Sequence, residues 1–408
     1  MGWSNVNRPD FNQYVSRTFL AFALIGVSNA VLLRISCAAN YLIIPYSQPV
    51  VLLLENCPSA IAKILLPFVI ERIPRNVRLL LIAATWLIIK VVVSATPPNV
   101  LPPVRILTTV LAAVSSAATE IFCLDLIQQY GRIGLIAWAV GTSLGHIANA
   151  TWPLVLTSYA GMTLREEVRY MHHLVAIMML AYFMVLPQSS PIVSQGELNM
   201  DKAAAGGYDV RTSLMGTVPT VQHKGLGKVK RNSRAILALL RQAAPILFLV
   251  TVAQALVSPG SALALDGSSF SSLLSWTSAL ALALHVGNLT ARLSAISLRL
   301  GSHRVVLILL VWTVALLVAD SIFFLGNSWV VLGVALCSGL LGGAVYVEVF
   351  DTALRKVPGE SHALLSIGII SAAEVAGGLL GGIVGYFWET LVCNITTDEE
   401  RFCHRSEV

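Results

Sequence analysis

The chain has 408 residues, 56% of them hydrophobic and 12% charged, with 27 Lys and Arg against 21 Asp and Glu for a net charge of +6. So apolar a composition excludes an ordinary soluble domain, and the basic surplus of such a chain belongs to cytoplasmic loops beside anionic lipid, not to a nucleic-acid surface. Six cysteines make no CxxC pair or Cys/His cluster, so no metal centre and no cofactor are expected; nucleophile-elbow, HExxH and phosphate-loop signatures are also missing, which argues against an enzyme.

At the N-terminus Met1-Gly2 is followed by Val6 where myristoylation requires Ser or Thr. Phe19 to Leu33 has the length of a signal-peptide core, with small residues at Ser36 to Ala38, but the long polar lead and Arg34 suit a retained first helix better. Crossing a hydrocarbon layer about 30 Å thick takes about 20 apolar residues. Apolar runs bounded by turn signals predict helices over 18–42, 49–70, 78–96, 104–128, 133–157 and 169–187, then over 235–257, 270–298, 304–325, 329–354 and 362–392. The expected fold is an all-α membrane protein of about 11 transmembrane helices in two bundles, six plus five, laid out like a major-facilitator carrier. Its parts are an N-terminal bundle over 1–187, a basic flexible linker over 188–233, a C-terminal bundle over 234–392 and a tail over 393–408.

Lys and Arg gather on one side: Arg8, Arg17, Arg72, Arg75, Arg78, Arg132, the linker cluster, Arg299, Arg304, Arg355 and Lys356, against Arg105, Arg165, Arg169, Arg401 and Arg405 opposite. The first side is expected to be cytoplasmic, with the N-terminus there and the tail lumenal. Cys393 and Cys403 could pair only if that tail meets an oxidising lumen. The sequon Asn394-Ile395-Thr396 lies in the same place, whereas those at Asn149 and Asn288 fall inside helices.

Ionisable residues within apolar runs need partners or a watery path. Helix 1 has Asn29 and Arg34, the latter also able to snorkel to headgroups; helix 2 has Glu55 and Lys63, eight residues apart and each in want of a partner from elsewhere. Helix 4 offers small residues, Ser115-Ser116-Ala117-Ala118, before Glu120, the strongest single candidate for a solute or proton path. Asp125 reads as an interface charge. Helix 5, with Trp138, Gly141, Ser143, Gly145, His146 and Asn149, is expected to face a cavity. Beyond the linker come Gln254, Arg292 (two turns from Arg299 and also able to snorkel) and Asp320. Tyr346 and Glu348 follow in helix 10, with Asp351 one turn on, and Glu374 stands in helix 11 ahead of Gly377, Gly378, Gly381 and Gly382. The candidate path is thus Asn29, Lys63, Glu120, His146, Gln254, Arg292, Tyr346, Glu348 and Glu374.

These segments resemble the battenin family of lysosomal and vacuolar membrane proteins. The specific match is helix 10, Leu340-Leu341-Gly342-Gly343-Ala344-Val345-Tyr346-Val347 followed by Phe350; Ser115-Ser116 with Glu120, the Trp138, Gly141-Thr142, Gly145 spacing, Asn29 after Gly26, Lys63 between Pro58 and Pro67, and Arg292 are similar too. Ala117 and Thr119 stand where the family has glycines, Ala30 where it has a second asparagine, Gln254 near a glutamate, Glu348 for an asparagine and Glu374 for an aspartate. The resemblance implies eleven helices in a fold akin to the major facilitator and equilibrative nucleoside transporter groups, residence in the lysosomal or vacuolar membrane, and roles in organelle pH, basic amino acid balance and glycerophosphodiester clearance.

Two readings follow. One is a secondary transporter of a small polar or charged solute, with Lys63 and Arg292 meeting an anionic group and Glu120 taking or sharing a proton. The other is a non-transporting membrane regulator or scaffold, whose buried charges are structural pairs and whose linker recruits partners.

Overall fold

The computed structural model describes residues 8–41, 47–70, 72–96, 102–155, 161, 168–187, 227–265, 267–296, 303–323, 327–356 and 360–396. Most of the expected linker, over 188–226, and the tail beyond 396, with Cys403, lie outside them. Helices α1 (Arg8–Tyr41), α2 (Gln48–Ile70) and α3 (Arg75–Ala95) come first. The helix α1 begins ten residues before the predicted start, because the polar lead also takes helical form. The next element, Pro102–Val155, is broken at Gly131, whose φ of 66° and ψ of −155° leave the helical region. We treat its arms, 102–130 and 132–155, as α4 and α5.

Contacts with α1 give the directions of these two arms. Asn29 of α1 meets Ser116 while Phe22 meets Tyr130, so α4 runs antiparallel to α1. Gly26 meets Trp138 and Thr142 while Ala30 meets Gly145 and Asn149, so α5 runs parallel to it. The pair is a helical hairpin turning on one left-handed residue, a conformation that costs glycine nothing and other residues more.

A 3-10 turn at Val168–Tyr170 leads into α6 (Met171–Leu180), which ends in a π-turn at Ala181–Val185. The second half has α7 (Gly227–Ala255), α8 (Leu273–Ser294), α9 (His303–Phe323), α10 (Ser328–Lys356) and α11 (Glu360–Ile395). The helix α7 starts at Gly227, inside the stretch read as linker. Between α7 and α8 the chain hooks through a π-turn at Leu256–Gly260, where the Glu389 carboxylate accepts the Leu263 amide at 2.8 Å and Trp276 donates to the Ala262 carbonyl at 2.8 Å. No strand occurs among the described residues.

Hydrocarbon accounts for what would otherwise be an unstable surface. Ile61, Leu65 and Phe68 of α2, Leu80, Ile88 and Val91 of α3, and Val311, Trp312 and Phe323 of α9 are exposed, and so much outward apolar surface is stable only against lipid. Nine segments among the described residues are long and apolar enough to cross. That count takes the α4–α5 hairpin as one 50-residue span and leaves out α8, whose run is diluted by polar residues such as His285, Asn288 and Arg292.

Within the first half α1 packs on α4, α5 and α6; within the second α7 packs on α10 and α11, and α8 on α10. The halves meet along α2 with α11 and α5 with α8. Burial is lopsided along this seam. Every residue over 121–127 of α4 and over 133–141 of α5 is buried, as is nearly every one over 345–353 of α10, so near the Gly131 face these helices are enclosed all round. Further along α5, Leu144, His146 and Trp152 are exposed. Near the Gly131 face the seam helices are thus packed on all sides, while toward its other end α5 has accessible side chains.

Close crossings depend on glycine. A Cβ on Gly381 of α11 would stand against the Val252 carbonyl of α7 and 2.9 Å from Ala255, whereas one on Gly378 meets nothing within 4 Å. Gly381→Val is expected to lower unfolding stability in detergent by about 1–3 kcal/mol through overpacking. Gly378→Ala should leave it within about 0.5 kcal/mol, as surface changes do; equal losses in both would refute this account of the crossing.

Candidate functional site

Lys63 lies in the middle of α2 between Pro58 and Pro67, 4% exposed, and its Nζ is 2.8 Å from Oε2 of Glu120 on α4. The other carboxylate oxygen of Glu120 accepts a short hydrogen bond from Ser371 of α11. Gly368, one turn before Ser371, faces the Lys63 carbonyl and the Pro67 ring, so α11 can lie directly on α2 there. The sequence showed two isolated ions; the structure makes them one unit with a hydroxyl from the opposite half.

Glu374, three residues after Ser371 and hence on a neighbouring face, is half-buried and within electrostatic reach of Glu120, Lys63 and Arg292. Among the described residues it has no hydrogen-bond or ion-pair partner. Arg292 does not snorkel. Its Nη1 donates to the Ala139 carbonyl at 2.7 Å and to Thr142 Oγ1 at 2.8 Å, both on α5, and its guanidinium lies 4.3 Å from the centre of the Tyr346 ring on α10. A guanidinium over an aromatic face gains about 0.5–2 kcal/mol.

His146 of α5 stacks on His285 of α8 with ring centroids 5.0 Å apart. Sequence reasoning singled out His146 and passed over His285. The signal was the spacing: His285, Asn288 and Arg292 are three, four and seven residues apart, one stripe of a helix. Arg34 of α1, exposed, is within electrostatic reach of both rings, and Glu55 of α2 lies beside Cys37 of α1. Lys63, Glu120, His146, Arg292, Tyr346 and Glu374 therefore surround one region where α2, α4 and α5 face α8, α10 and α11.

The other candidates are placed elsewhere. Asn29 is buried and donates to the Ser116 carbonyl at 3.4 Å within the first half. Gln254 joins α7 to α8 and α10, donating to Asn288 Oδ1 at 3.2 Å and to the Ser338 carbonyl at 3.1 Å. Glu348 is half-buried and takes part in none of these contacts. Asp125 is held by Arg78 at 2.7 Å, and Lys90 reaches His172 Nδ1 at 3.0 Å.

One further link crosses the seam near the Gly131 face, and sequence analysis did not single it out. Arg132 of α5, 3% exposed, donates to the carbonyl of Ala295, the C-cap of α8, at 2.7 Å and lies 3.9 Å from Asp351 of α10, which Arg355 also holds at 2.9 Å.

Comparison with known proteins bears on the family and on the fold. The family model described as CLN3 protein matches residues 20–395. The chain belongs to the CLN3 (battenin) family. Relatives include Protein BTN1 of Chaetomium globosum, 28% identical over 95% of this chain and 91% of that protein, and Protein btn-1 of Neurospora crassa, 25% identical over the same shares. Among solved structures, the human organic anion transporter MFSD10 superposes with a TM-score of 0.60 at 14% identity over 96% of each chain. The fold is major-facilitator-like.

Removing one partner of a buried ion pair strands the other, at about 3–5 kcal/mol. Lys63→Met and Glu120→Gln are each expected to destabilise by that order, and the double variant by clearly less than their sum. Additive losses in denaturant unfolding would mean that the two residues are not energetically coupled.

Proposed function

We propose that the protein is a secondary transporter, coupled to protons, that moves a small polar or charged solute across a vacuolar or lysosomal membrane and so contributes to organelle pH and to basic amino acid or glycerophosphodiester balance. The observation that carries this is the Lys63–Glu120–Ser371 unit with Glu374 and Arg292 at the seam. Ions that serve only as internal pairs have no need to sit where two halves of a carrier fold meet, whereas ions that exchange partners with a solute must. Glu55 Oε1, Ser143 Oγ and Arg292 Nε are buried without a protein partner, and such groups are costly unless the region holds water or a polar solute.

The Gly131 face, with the N-terminus, is taken as cytoplasmic. Arg17, Arg72, Arg75 and Arg78 lie on it, and the disulfide at Cys393 near the far end suits an oxidising lumen. In this reading the conformation, packed all round near Gly131, is closed to the cytoplasm and open to the lumen. Alternating access requires the Arg132, Arg292 and Ser371 bonds to part. Tyr346 and the candidates Asn29, Gln254 and Glu348 belong to the supporting structure in this reading, with Lys63, Glu120, His146, Arg292 and Glu374 on the path.

Reconstituted into proteoliposomes with an imposed pH gradient and screened against amino acids, nucleosides and phosphodiesters, the protein is expected to carry at least one solute. Glu374→Gln, which breaks no described bond, should reduce that flux at least about tenfold, the effect of one 1.4 kcal/mol interaction, while folding is kept. A wild-type protein inert to the whole panel would defeat the reading. Arg132→Ala should raise labelling of cysteines placed on the seam side of α10 by a membrane-impermeant thiol reagent added from the Gly131 face; unchanged labelling would mean that Arg132 does not hold that face shut.

A further inference from the structure

Two imidazoles face each other across the seam in mid-helix, His146 of α5 and His285 of α8, their planes 19° from parallel and their centroids 5.0 Å apart. His146 is exposed by surface area and His285 half-buried, although both rings lie deep among the helices. The charges that bear on both rings are positive: Arg292, two turns along α8, and Arg34 from α1. The carboxylates around the region are directed elsewhere. Glu120 of α4 is held by Lys63 of α2 and Ser371 of α11. Glu55 of α2 lies against Cys37 of α1, and Glu374 of α11 acts on Glu120, Lys63 and Arg292. From α10, Tyr346 presents its ring to Arg292.

A parallel pair of neutral rings stacks without strain, but an imidazolium among two guanidinium groups lacks a counter-ion. Whatever brings negative charge to that place therefore favours the proton. We propose that the His146–His285 pair is the proton-binding element of the carrier, and that its protonation is linked to the arrival of an anionic group of the solute between Arg34 and Arg292. The charges balance: one proton adds to a ring nitrogen of the pair, one imidazolium forms, and one negative charge enters beside it. By reciprocity the proton tightens anion binding as much as the anion tightens proton binding. Lumenal acid would then load both ligands together, and neutral cytosol would release both. The proposal rests on the transporter reading and assigns it a coupling site other than Glu120.

The test uses the full chain in lipid nanodiscs, with carbon-labelled histidine rings followed by NMR as the pH is lowered. Sulfate serves as the anion probe because its charge is constant over this range. His146→Asn and His285→Asn assign the two signals, with the glutamine variants as substitutes if either fails to fold. The expected result is that the pair takes up a single proton, that sulfate moves its midpoint upward by about one pH unit, the mark of a tenfold coupling, and that Arg34→Gln abolishes the movement. Independent titration of both rings, no titration down to about pH 4.5, or a midpoint that ignores sulfate would each overturn the proposal. Flux that keeps its pH dependence in the His146→Asn/His285→Asn double variant would also overturn it while leaving the transporter reading intact. A protein with no flux at all would sink that reading, and the ring titration would still decide the linkage.

Discussion

The rest of this architecture depends on the ion pair between Lys63 and Glu120. A charge buried in a membrane-spanning bundle is tolerated only when a partner and further hydrogen bonds replace its hydration, and the 2.8 Å contact with the added Ser371 hydroxyl supplies both. That requirement brings α2, α4 and α11 together at one level. It explains why α11 carries Gly368 where it passes over the α2 backbone, and why small residues precede Glu120 on α4. Because Ser371 belongs to the second half and the ions to the first, one local electrostatic constraint also sets how the halves meet.

The remaining bonds across the seam have the same character. Arg292 and Arg132 each leave their own half to hydrogen-bond main-chain carbonyls in the other. Such bonds are strong in a low dielectric, yet each guanidinium holds a few oxygens rather than an interlocked surface, so a modest rearrangement exchanges them for water. A close glycine crossing, as between α7 and α11, would resist that exchange. The seam therefore combines these polar contacts with a close crossing of α11 over α2, at Gly368 and Gly382.

Much of this was legible in the sequence. The apolar runs located the helices, and Gly131 lay in the short gap between two of them because a tight reversal needs a residue at ease with positive φ. The isolated ions Lys63, Glu120, Arg292 and Glu374 were visible as charges where lipid forbids them. Their pairing was not, and the Ala139 partner of Arg292 contributes only a carbonyl oxygen, which every residue has. Polarity inside an apolar run also signals a partner as readily as a path. Asn29 and Gln254 turned out to bridge helices within one half, and Glu348, two positions from the inward Tyr346 and so about 200° around the helix, takes another direction. His285 escaped notice because a single histidine says little until its neighbour across the seam is known.

Arg132, a residue of the first half, caps α8 from across the seam by donating to the Ala295 carbonyl, an oxygen that the last turn of a helix in the second half leaves bare. The final turn of α8 is therefore complete only in the closed arrangement. In the proposed cycle, a separation of the halves there would take the cation from that oxygen, so opening would carry a local cost at the end of α8 as well as a rigid motion.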